Sequence, residues 1–257
     1  MVSGHLEISA RFPSCRRSCV SIGFGPLTLL GDVPFFIYEQ PIPDWLSKTL
    51  EGLDLNIHLH HDDLPDGLDL GDVIAIDTET QGLNPHRDRL CLAQLSAGDG
   101  ECHLVKFKRD QYDAPNLKAL LTDPNRLKLF HFARFDVAIL QKYLGVQTRP
   151  IYCTKIAAKL TRTYTDRHGL AVLCREMLGV DLSKAQQSSD WAADELSDAQ
   201  LEYAASDVLY LHRLKEKFDT LLARENRTHL AQACFDFLPA RGELDLCGWD
   251  EVDIFAH

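Results

Sequence analysis

The sequence lacks several features that would place it in a specialised class of protein. No apolar run approaches the roughly 20 residues that a membrane-spanning helix needs. Its 8 cysteines form no C-x-x-C pair, and no internal repeat or low-complexity tract occurs. These absences argue against membrane and repeat proteins, and against structural zinc or a disulfide framework. With 257 residues and 45% hydrophobic content, we expect one well-buried domain of a soluble, cytoplasmic protein.

Basic residues are also scarce. The chain has 27 Lys and Arg against 38 Asp and Glu, for a net charge of −11. Proteins that bind long duplexes present a basic face, which this balance does not favour. Either the ligand is not a nucleic acid, or it is so short that few phosphates need neutralising. A carboxylate cluster that binds metal ions would also add negative formal charge, which the bound cations offset locally.

The first 51 residues lack the regular patterning of the rest. They mix Ser, Arg, Pro and Gly with short apolar pieces that follow neither a period of 2 nor one of 3.6. The apolar stretch after Arg16 and Arg17 has no clean hydrophobic region and no cleavage site, so it does not indicate a signal peptide. We therefore expect residues 1–51 to be a disordered extension or the product of a mis-assigned start. A single domain should then occupy residues 52–257.

Secondary-structure signals become regular from residue 52 onward. The apolar run 71–77 predicts a buried central strand, and Gly98-Asp99-Gly100 predicts a hairpin between its flanking strands. Ser197 and Gln200 form a capping box at the start of a helix. The other predicted elements are helices over 115–121, 133–144, 154–161, 169–178 and 198–224, and strands over 127–131 and 151–153. This order predicts an α/β fold, with a mixed five-stranded sheet flanked by helices.

Two acidic residues end the predicted central strand. Asp77 and Glu79 are separated by one residue, so their side chains point to the same side of the strand. Hard divalent cations such as Mg²⁺ and Mn²⁺ prefer carboxylate oxygens. Taken alone, this pair is equally typical of a solvated strand end.

Three further residues combine a polar group with apolar surroundings. Asp136 falls one turn into a predicted helix, where the helix dipole alone can explain an acid. Its neighbours are strongly apolar, so a buried carboxylate there needs a specific partner. Tyr203 and Asp207 are four residues apart on the last helix and share one face. Core packing is the alternative interpretation for Tyr203, and a surface acid is the alternative for Asp207.

The ordered set is more specific than its parts. A D-x-E after a strand, an Asp early in a helix and Y-x-x-x-D on a later helix resemble the DEDDy signature of the 3′→5′ exonucleases. The resemblance covers roughly residues 55–224, and SSDWAADELSDAQLEYAASDVLYL is similar to ribonuclease D. Ribonuclease D has Arg-Pro where this chain has Ala192-Ala193. The stretches DTETQGLNPHRDRLCLAQLSAGDG, FHFARFD and GWDEVDIFAH resemble the nanoRNase C family of diribonucleotidases.

The resemblance implies a complete set of expectations. It implies a ribonuclease H-like, DnaQ-like fold and a ring-shaped homo-octamer that digests short single-stranded RNA, especially dinucleotides. It also implies two divalent cations, Mg²⁺ or Mn²⁺, held by Asp77, Glu79, Asp136 and Asp207, with Tyr203 orienting the attacking water. Substrate contacts are expected from Thr78, Leu83 and His131, with Leu83 as a wedge between the two bases. Simple loop packing of Leu83 and a half-buried structural role for His131 are the alternatives.

Two other functions compete with this interpretation. The first is a ribonuclease D-like exonuclease that trims longer RNA or DNA 3′ ends. The residues after 224 leave no room for the helical nucleic-acid-binding domain of ribonuclease D, which argues against that role. The second is a catalytically inactive nucleic-acid-binding domain. Such a domain should have lost a metal carboxylate, yet all four are present together with the tyrosine.

Overall fold

The computed structural model describes residues 56–256, so the predicted N-terminal extension lies outside the described residues. Six strands form one sheet in the order β1-β4-β3-β2-β5-β6. They are β1 (Asn56–His61), β2 (Val73–Thr80), β3 (Leu90–Ser96), β4 (Glu101–Lys106), β5 (Leu127–Phe130) and β6 (Ile151–Cys153). Strands β2, β3 and β4 form an antiparallel meander, whereas β5 runs parallel to β2, β6 to β5, and β1 to β4.

The predicted mixed sheet is confirmed, but its strand count was wrong by one. The missed strand is β1, whose sequence NIHLHH contains few of the β-branched and aromatic residues that mark strands. It lies at the edge of the sheet, and most of its side chains are exposed. The alternation of polar and apolar residues in Asn56–His60 includes only two apolar positions, so this short pattern was not recognised as a strand.

Helices cover the sheet and follow most of the predicted positions. They are α1 (Pro115–Thr122), α2 (Ala133–Leu144), α3 (Thr154–Thr161), α4 (Leu170–Leu173), α5 (Asp198–Leu209), α6 (Leu211–Arg224) and α7 (Thr228–Leu244). Helix α4 continues into a π-helical turn, Cys174–Leu178, and α7 into the turn Asp245–Trp249. Within residues 56–256, no helix combines the length and apolar character that crossing a bilayer requires.

One helical prediction needs correction, and one helix was missed. The single helix expected over 198–224 is two helices, because the backbone at Tyr210 (φ −102°, ψ −3°) departs from regular helical values. Helix α7 was not predicted at all. It contains Pro239, which ordinarily interrupts a helix because it lacks the backbone N–H.

The local turn and cap signals are confirmed. Ser197 Oγ accepts a hydrogen bond from the Gln200 backbone N–H, and Gln200 Oε1 accepts one from the Ser197 N–H, which completes the capping box. The β3–β4 hairpin turns through Gly98, whose φ of 82° is in the left-handed region. A Cβ at Gly98 would also lie 2.7 Å from the His212 ring, so only glycine fits there.

The carboxyl ends of β2 and β5 lie side by side at the edge of the sheet where the strands end. Helix α5 packs against β2, β3 and β4, whereas α2 packs against β3, β5 and β6, with α7 alongside it. The core between the layers is apolar and includes Ile74, Ile76, Leu95 and Phe130, all fully buried. Because β2 and β5 are parallel, their carboxyl ends open at the same edge, where residues that follow each strand meet.

Candidate active site

Three acidic side chains converge at the carboxyl end of β2. Asp77 and Glu79 lie on one face of that strand, and Asp207 approaches them from α5. The three residues offer carboxylate oxygens that all lie within 4.8 Å of one another. All three side chains keep some exposure to solvent, so ions and substrate can reach them. We call these three residues the acidic trio.

Asp136 lies beside the acidic trio but is not part of it. It is in the first turn of α2, only 4% exposed, where the helix dipole favours a negative charge. The Thr78 hydroxyl donates a hydrogen bond of 2.7 Å to Asp136 Oδ1. The charge of Asp136 also contributes to the raised pKa values of Asp77 and Glu79. The structure thus brings the four predicted acids together, with Thr78 orienting the fourth.

The four carboxyl groups have perturbed acidities. Burial, reinforced by the neighbouring carboxylates, raises the pKa of Asp77 well above its usual range and that of Glu79 to about 9. Burial also raises the pKa of Asp136 and of Asp207 to about 7, while hydrogen bonds from Thr78 and Tyr203 oppose these shifts. Within residues 56–256, no Lys, Arg or His forms an ion pair with any of the four.

This arrangement fits divalent cations. Clustered carboxylates without a basic partner repel one another, and an ion with several positive charges removes that repulsion. The donors are hard oxygen atoms, which suit Mg²⁺ and Mn²⁺ better than they suit thiophilic metals. Raised pKa values at several groups in one cleft are also typical of functional sites.

Tyr203 lies one helical turn before Asp207 on α5. Its ring packs against the buried Trp191, with ring centroids 6.0 Å apart, and its side chain keeps some exposure to solvent. Burial and the charges of Asp207 and Glu79 raise the pKa of Tyr203 above its ordinary value. The phenol therefore stays protonated at neutral pH and can act as a hydrogen-bond donor near the acidic trio.

Leu83 is at the tip of the loop between β2 and β3. Its side chain is 87% exposed, which does not fit the alternative that it merely packs the loop. The loop beneath it is tightly held, because the buried Asp88 accepts hydrogen bonds from the Asn84 N–H at 3.0 Å and from Arg87 Nε at 2.6 Å. A Cβ at Gly82 would lie 2.3 Å from Asp88 Oδ2. An apolar side chain is thus presented to solvent by a well-defined loop.

The same loop is tied to the helix that carries Asp136. Lys142, on α2, donates hydrogen bonds to the carbonyl oxygens of Pro85 at 2.6 Å and His86 at 2.7 Å. The His86 ring in turn bonds to the carbonyl oxygen of Asp245 at 3.1 Å. The position of Leu83 relative to α2 is therefore set by these polar contacts.

Asp245 joins these parts through its side chain. It is only 5% exposed and accepts hydrogen bonds from Arg134 Nε and Nη2 at 2.6 and 2.8 Å. Arg241 Nη2 lies 2.7 Å from the same carboxylate. Since Arg134 precedes Asp136 by two residues, Asp245 connects the C-terminal turn to the start of α2. The sequence analysis missed Asp245, whose only signal was an acid four residues after an arginine.

One ring nitrogen of His131 is hydrogen-bonded, and the other has no partner among the described residues. Its Nδ1 shares a hydrogen bond of 2.8 Å with the Thr154 hydroxyl, whereas its Nε2 has no partner among the described residues. Burial, reinforced by the charge of Lys155, lowers the pKa of His131 to about 3, so the ring is neutral. Its predicted contact with substrate, like that of Thr78, stays a prediction.

Gln94 is a further polar residue of the site that the sequence analysis missed. It is opposite Asp77 in the β2–β3 ladder, is fully buried, and its Nε2 donates to Asp77 Oδ2 at 3.3 Å. This neutral donor holds a carboxylate without supplying a positive charge. The register of the predicted strands is the only signal that could have located it.

The chain is similar to a known protein family and to solved structures. Residues 62–223 match the family model described as 3′-5′ exonuclease. The structure of Brucella melitensis NrnC with bound Mg²⁺ is 58% identical and superposes with a TM-score of 0.76, covering 79% of this chain and 99% of that one. NrnC of the same organism bound to pGG is 58% identical, with a TM-score of 0.77.

Ribonuclease D is a more distant relative. The protein of Gluconacetobacter diazotrophicus is 35% identical over 154 residues, which are 60% of this chain and 39% of that relative. This chain thus spans well under half the length of the ribonuclease D that it matches. The family match over more than half of the chain and the near-complete coverage of NrnC lead to one conclusion. This chain belongs to the 3′-5′ exonuclease family, in the branch that includes Brucella NrnC.

Proposed function

We propose that this chain is a divalent-cation-dependent 3′→5′ exoribonuclease that hydrolyses diribonucleotides to 5′-mononucleotides. One observation carries the proposal: the chain matches 99% of the length of Brucella NrnC, a protein whose structure has been determined with pGG bound. The acidic trio, Asp136 and Tyr203 would supply the side chains that this reaction requires, and the clustering of the trio supports this assignment. Water attacks phosphorus, the bond from phosphorus to the 3′ oxygen breaks, and a 3′-hydroxyl leaves.

The cation-binding roles follow from the resemblance to the DEDDy exonucleases, and the clustering of the acids supports them. Asp77, Glu79 and Asp207 would hold one cation, and Asp77 with Asp136 would hold the second, both Mg²⁺ or Mn²⁺. Such ions, when bound, stabilise the charge on the phosphate and make water more acidic. The hydrogen bond from Thr78 keeps Asp136 turned toward the site. The protonated Tyr203 hydroxyl would orient the attacking water.

Leu83 and the charge of the chain favour a very short substrate. An exposed leucine on a tightly held loop can insert between two unstacked bases. His131 Nε2, a buried atom without a partner among the described residues, is a further candidate contact at the same sheet edge. At a net charge of −11, further phosphates along a longer strand would add little attraction. A dinucleotide has only one internucleotide phosphate, which the two cations would contact.

A homo-octameric ring in the cytoplasm is part of the same proposal. It is supported by the resemblance and by exposed apolar side chains near the C-terminal end of the described residues. These are Trp249, Val252, Ile254 and Phe255, between 42% and 70% exposed. Several exposed apolar side chains within one short segment are typical of surfaces that a partner covers. Sedimentation-velocity measurements of the full chain report its mass directly.

A ribonuclease D-like exonuclease that trims longer RNA is the second candidate. The sequence identity with ribonuclease D favours it, although the matched region is only 39% of that relative. The two candidates differ in how efficiency depends on substrate length. A diribonucleotidase loses efficiency beyond two nucleotides, whereas a trimming enzyme gains from contacts with a longer strand.

The deciding experiment is a length series. We expect kcat/KM to be highest for the dinucleotide among 2-, 3-, 5- and 10-mer RNA at one fixed salt concentration with Mg²⁺ or Mn²⁺. The matching DNA oligomers measure sugar preference, and an Asp77→Asn preparation controls for contaminating nucleases. A steady rise of kcat/KM with length would replace the diribonucleotidase with a ribonuclease D-like enzyme.

A further inference from the structure

Three histidines form a separate cluster at the β1 edge of the sheet. His58 and His60 are two residues apart on β1, so both point to the same face of the sheet. His103, on β4, is directly opposite His58 in the parallel β1–β4 ladder. Two imidazoles from one strand and one from its neighbour therefore share a small area.

The rings are close and nearly parallel. His60 Nε2 and His103 Nδ1 share a hydrogen bond of 3.0 Å, whose proton a metal ion would replace. The His58 and His103 centroids are separated by 4.8 Å, and those of His60 and His103 by 5.3 Å, with interplanar angles of 17° and 9°. His58 Nε2 is bonded to Glu101 Oε2 at 2.5 Å. Two ring nitrogens thus already face each other, and a carboxylate holds the third ring.

The cluster is independent of the acidic trio. His58, His103, Leu95 and Ile76 form one cross-strand row, so they share a face of the sheet. Asp77 is one residue beyond Ile76 and therefore points to the opposite face. The histidines also lie on β1 and β4, the first two strands of the sheet order, whereas Asp77 is on the fourth.

The chemistry of the cluster suits a transition metal. Neutral imidazole is a good ligand for Zn²⁺, Ni²⁺ and Cu²⁺. In a tetrahedral site with Zn–N bonds of about 2.0–2.1 Å, ligand nitrogens are roughly 3.3 Å apart. The observed 3.0 Å between two nitrogens is close to that separation.

We propose that His58, His60 and His103 form a second metal site, which binds one divalent transition-metal ion such as Zn²⁺. His60 Nε2 and His103 Nδ1 bind through the nitrogens that now face each other. His58 becomes the third ligand when its ring turns away from Glu101, which is then free to bind the ion or to orient a ligand. The ion would fasten the edge strand β1 to β4. This site does not depend on the proposed nuclease activity.

The test measures metal binding to the full chain without an affinity tag. The background carries Asp77→Asn and Asp207→Asn, which weaken binding at the acidic trio. We expect calorimetry with Zn²⁺ to report one ion per chain, and Co²⁺ to give the visible absorption of an imidazole-bound ion. His60→Ala and His103→Ala should each weaken Zn²⁺ binding at least tenfold. His58→Ala, a change at a well-exposed side chain, should also weaken it and guards against misfolding of the other two variants.

His61→Ala is the matched control. His61 is on the same strand and exposed, but the alternation of side chains points it to the opposite face, so the variant should keep the affinity of the background protein. The inference is overturned if the background protein binds no Zn²⁺. It is also overturned if the His61 variant loses as much affinity as the His60 and His103 variants, because binding would then be adventitious.

Discussion

Asp245 and the acidic trio lie near the same edge of the sheet, but their negative charges are compensated in different ways. Asp245 is held between Arg134 and Arg241, with three nitrogen–oxygen distances of 2.6 to 2.8 Å. The acidic trio has no ion pair with a basic side chain among the described residues. Where the protein supplies the compensating charge, the acid has a structural role. Where it withholds that charge, the compensation is left to a cation from solution.

The difference has an energetic consequence. A buried carboxylate paired with arginine is costly to unpair, because removal of one partner leaves an uncompensated charge. Clustered carboxylates without a partner destabilise the folded protein until they bind protons or metal ions. Neutralising an acid should therefore damage the fold at Asp245 and relieve strain at the acidic trio. Three predictions test this contrast, from the largest expected effect to the smallest.

Asp207→Asn should have the largest effect, and the effect should be on activity. It removes a charged ligand from the cation site, and we expect kcat to fall by about 10³, or about 4 kcal/mol. The metal-free variant should melt at the same temperature as the wild type or higher, because a like charge has been removed. Turnover of a dinucleotide and thermal melting in EDTA measure the two quantities.

The outcome that contradicts this prediction is specific. A well-folded Asp207→Asn protein that keeps a substantial part of the wild-type rate would show that Asp207 does not bind a catalytic ion. A large loss of stability in EDTA would show instead that Asp207 has a structural role like that of Asp245.

Asp245→Ala should have the opposite signature. We expect the free energy of unfolding to fall by about 3 kcal/mol, the low end for a broken buried ion pair, since Arg134 is partly exposed. Urea unfolding followed by circular dichroism measures the change. The matched control is Asp250→Ala, because only the backbone carbonyl of Asp250 bonds to Arg134 and Arg241. Equal losses of unfolding free energy in Asp245→Ala and Asp250→Ala would show that the Asp245 carboxylate has no special structural role.

The pH dependence of the metal-free protein should report the acidic trio. The pKa of Glu79 is raised to about 9, far above its unfolded value. An acid whose folded pKa is raised favours the folded state most at low pH. That contribution is lost as the pH rises from the unfolded value through the folded one. In EDTA, we therefore expect stability to decline between about pH 5 and pH 9.

Mg²⁺ should reverse this decline, because ions bind the deprotonated carboxylates of the folded state. At a concentration of 100 times Kd, the expected stabilisation is about 2.7 kcal/mol, and it should be larger at high pH than at low pH. Melting temperatures across this pH range, with EDTA and with Mg²⁺, measure both effects. A Mg²⁺ effect of the same size in Asp207→Asn would place the ion elsewhere.

The sequence predicted the acidic trio and Asp136 because their order and local spacing form a motif. Asp77 and Glu79 follow from strand alternation, and Tyr203 and Asp207 from helical spacing. The sequence did not predict that Asp245 is paired with arginine. Asp245 bonds to Arg134 across 111 positions of the chain, and no local pattern reveals such a pair. The strand β1 was missed for a different reason, because its short alternating stretch includes only two apolar residues.

Two adjacent positions in the loop between β2 and β3 differ in whether they tolerate amino-acid substitution. Gly82 has no room for even one additional carbon, because the Asp88 carboxylate occupies that space. Leu83, the next residue, is almost free of neighbours within the described part of the chain. Its side chain can therefore be exchanged for a larger or smaller one without altering the scaffold. If Leu83 contacts the bases as proposed, substitutions at position 83 would vary which ligands are accepted, while Gly82 preserves the loop that presents it.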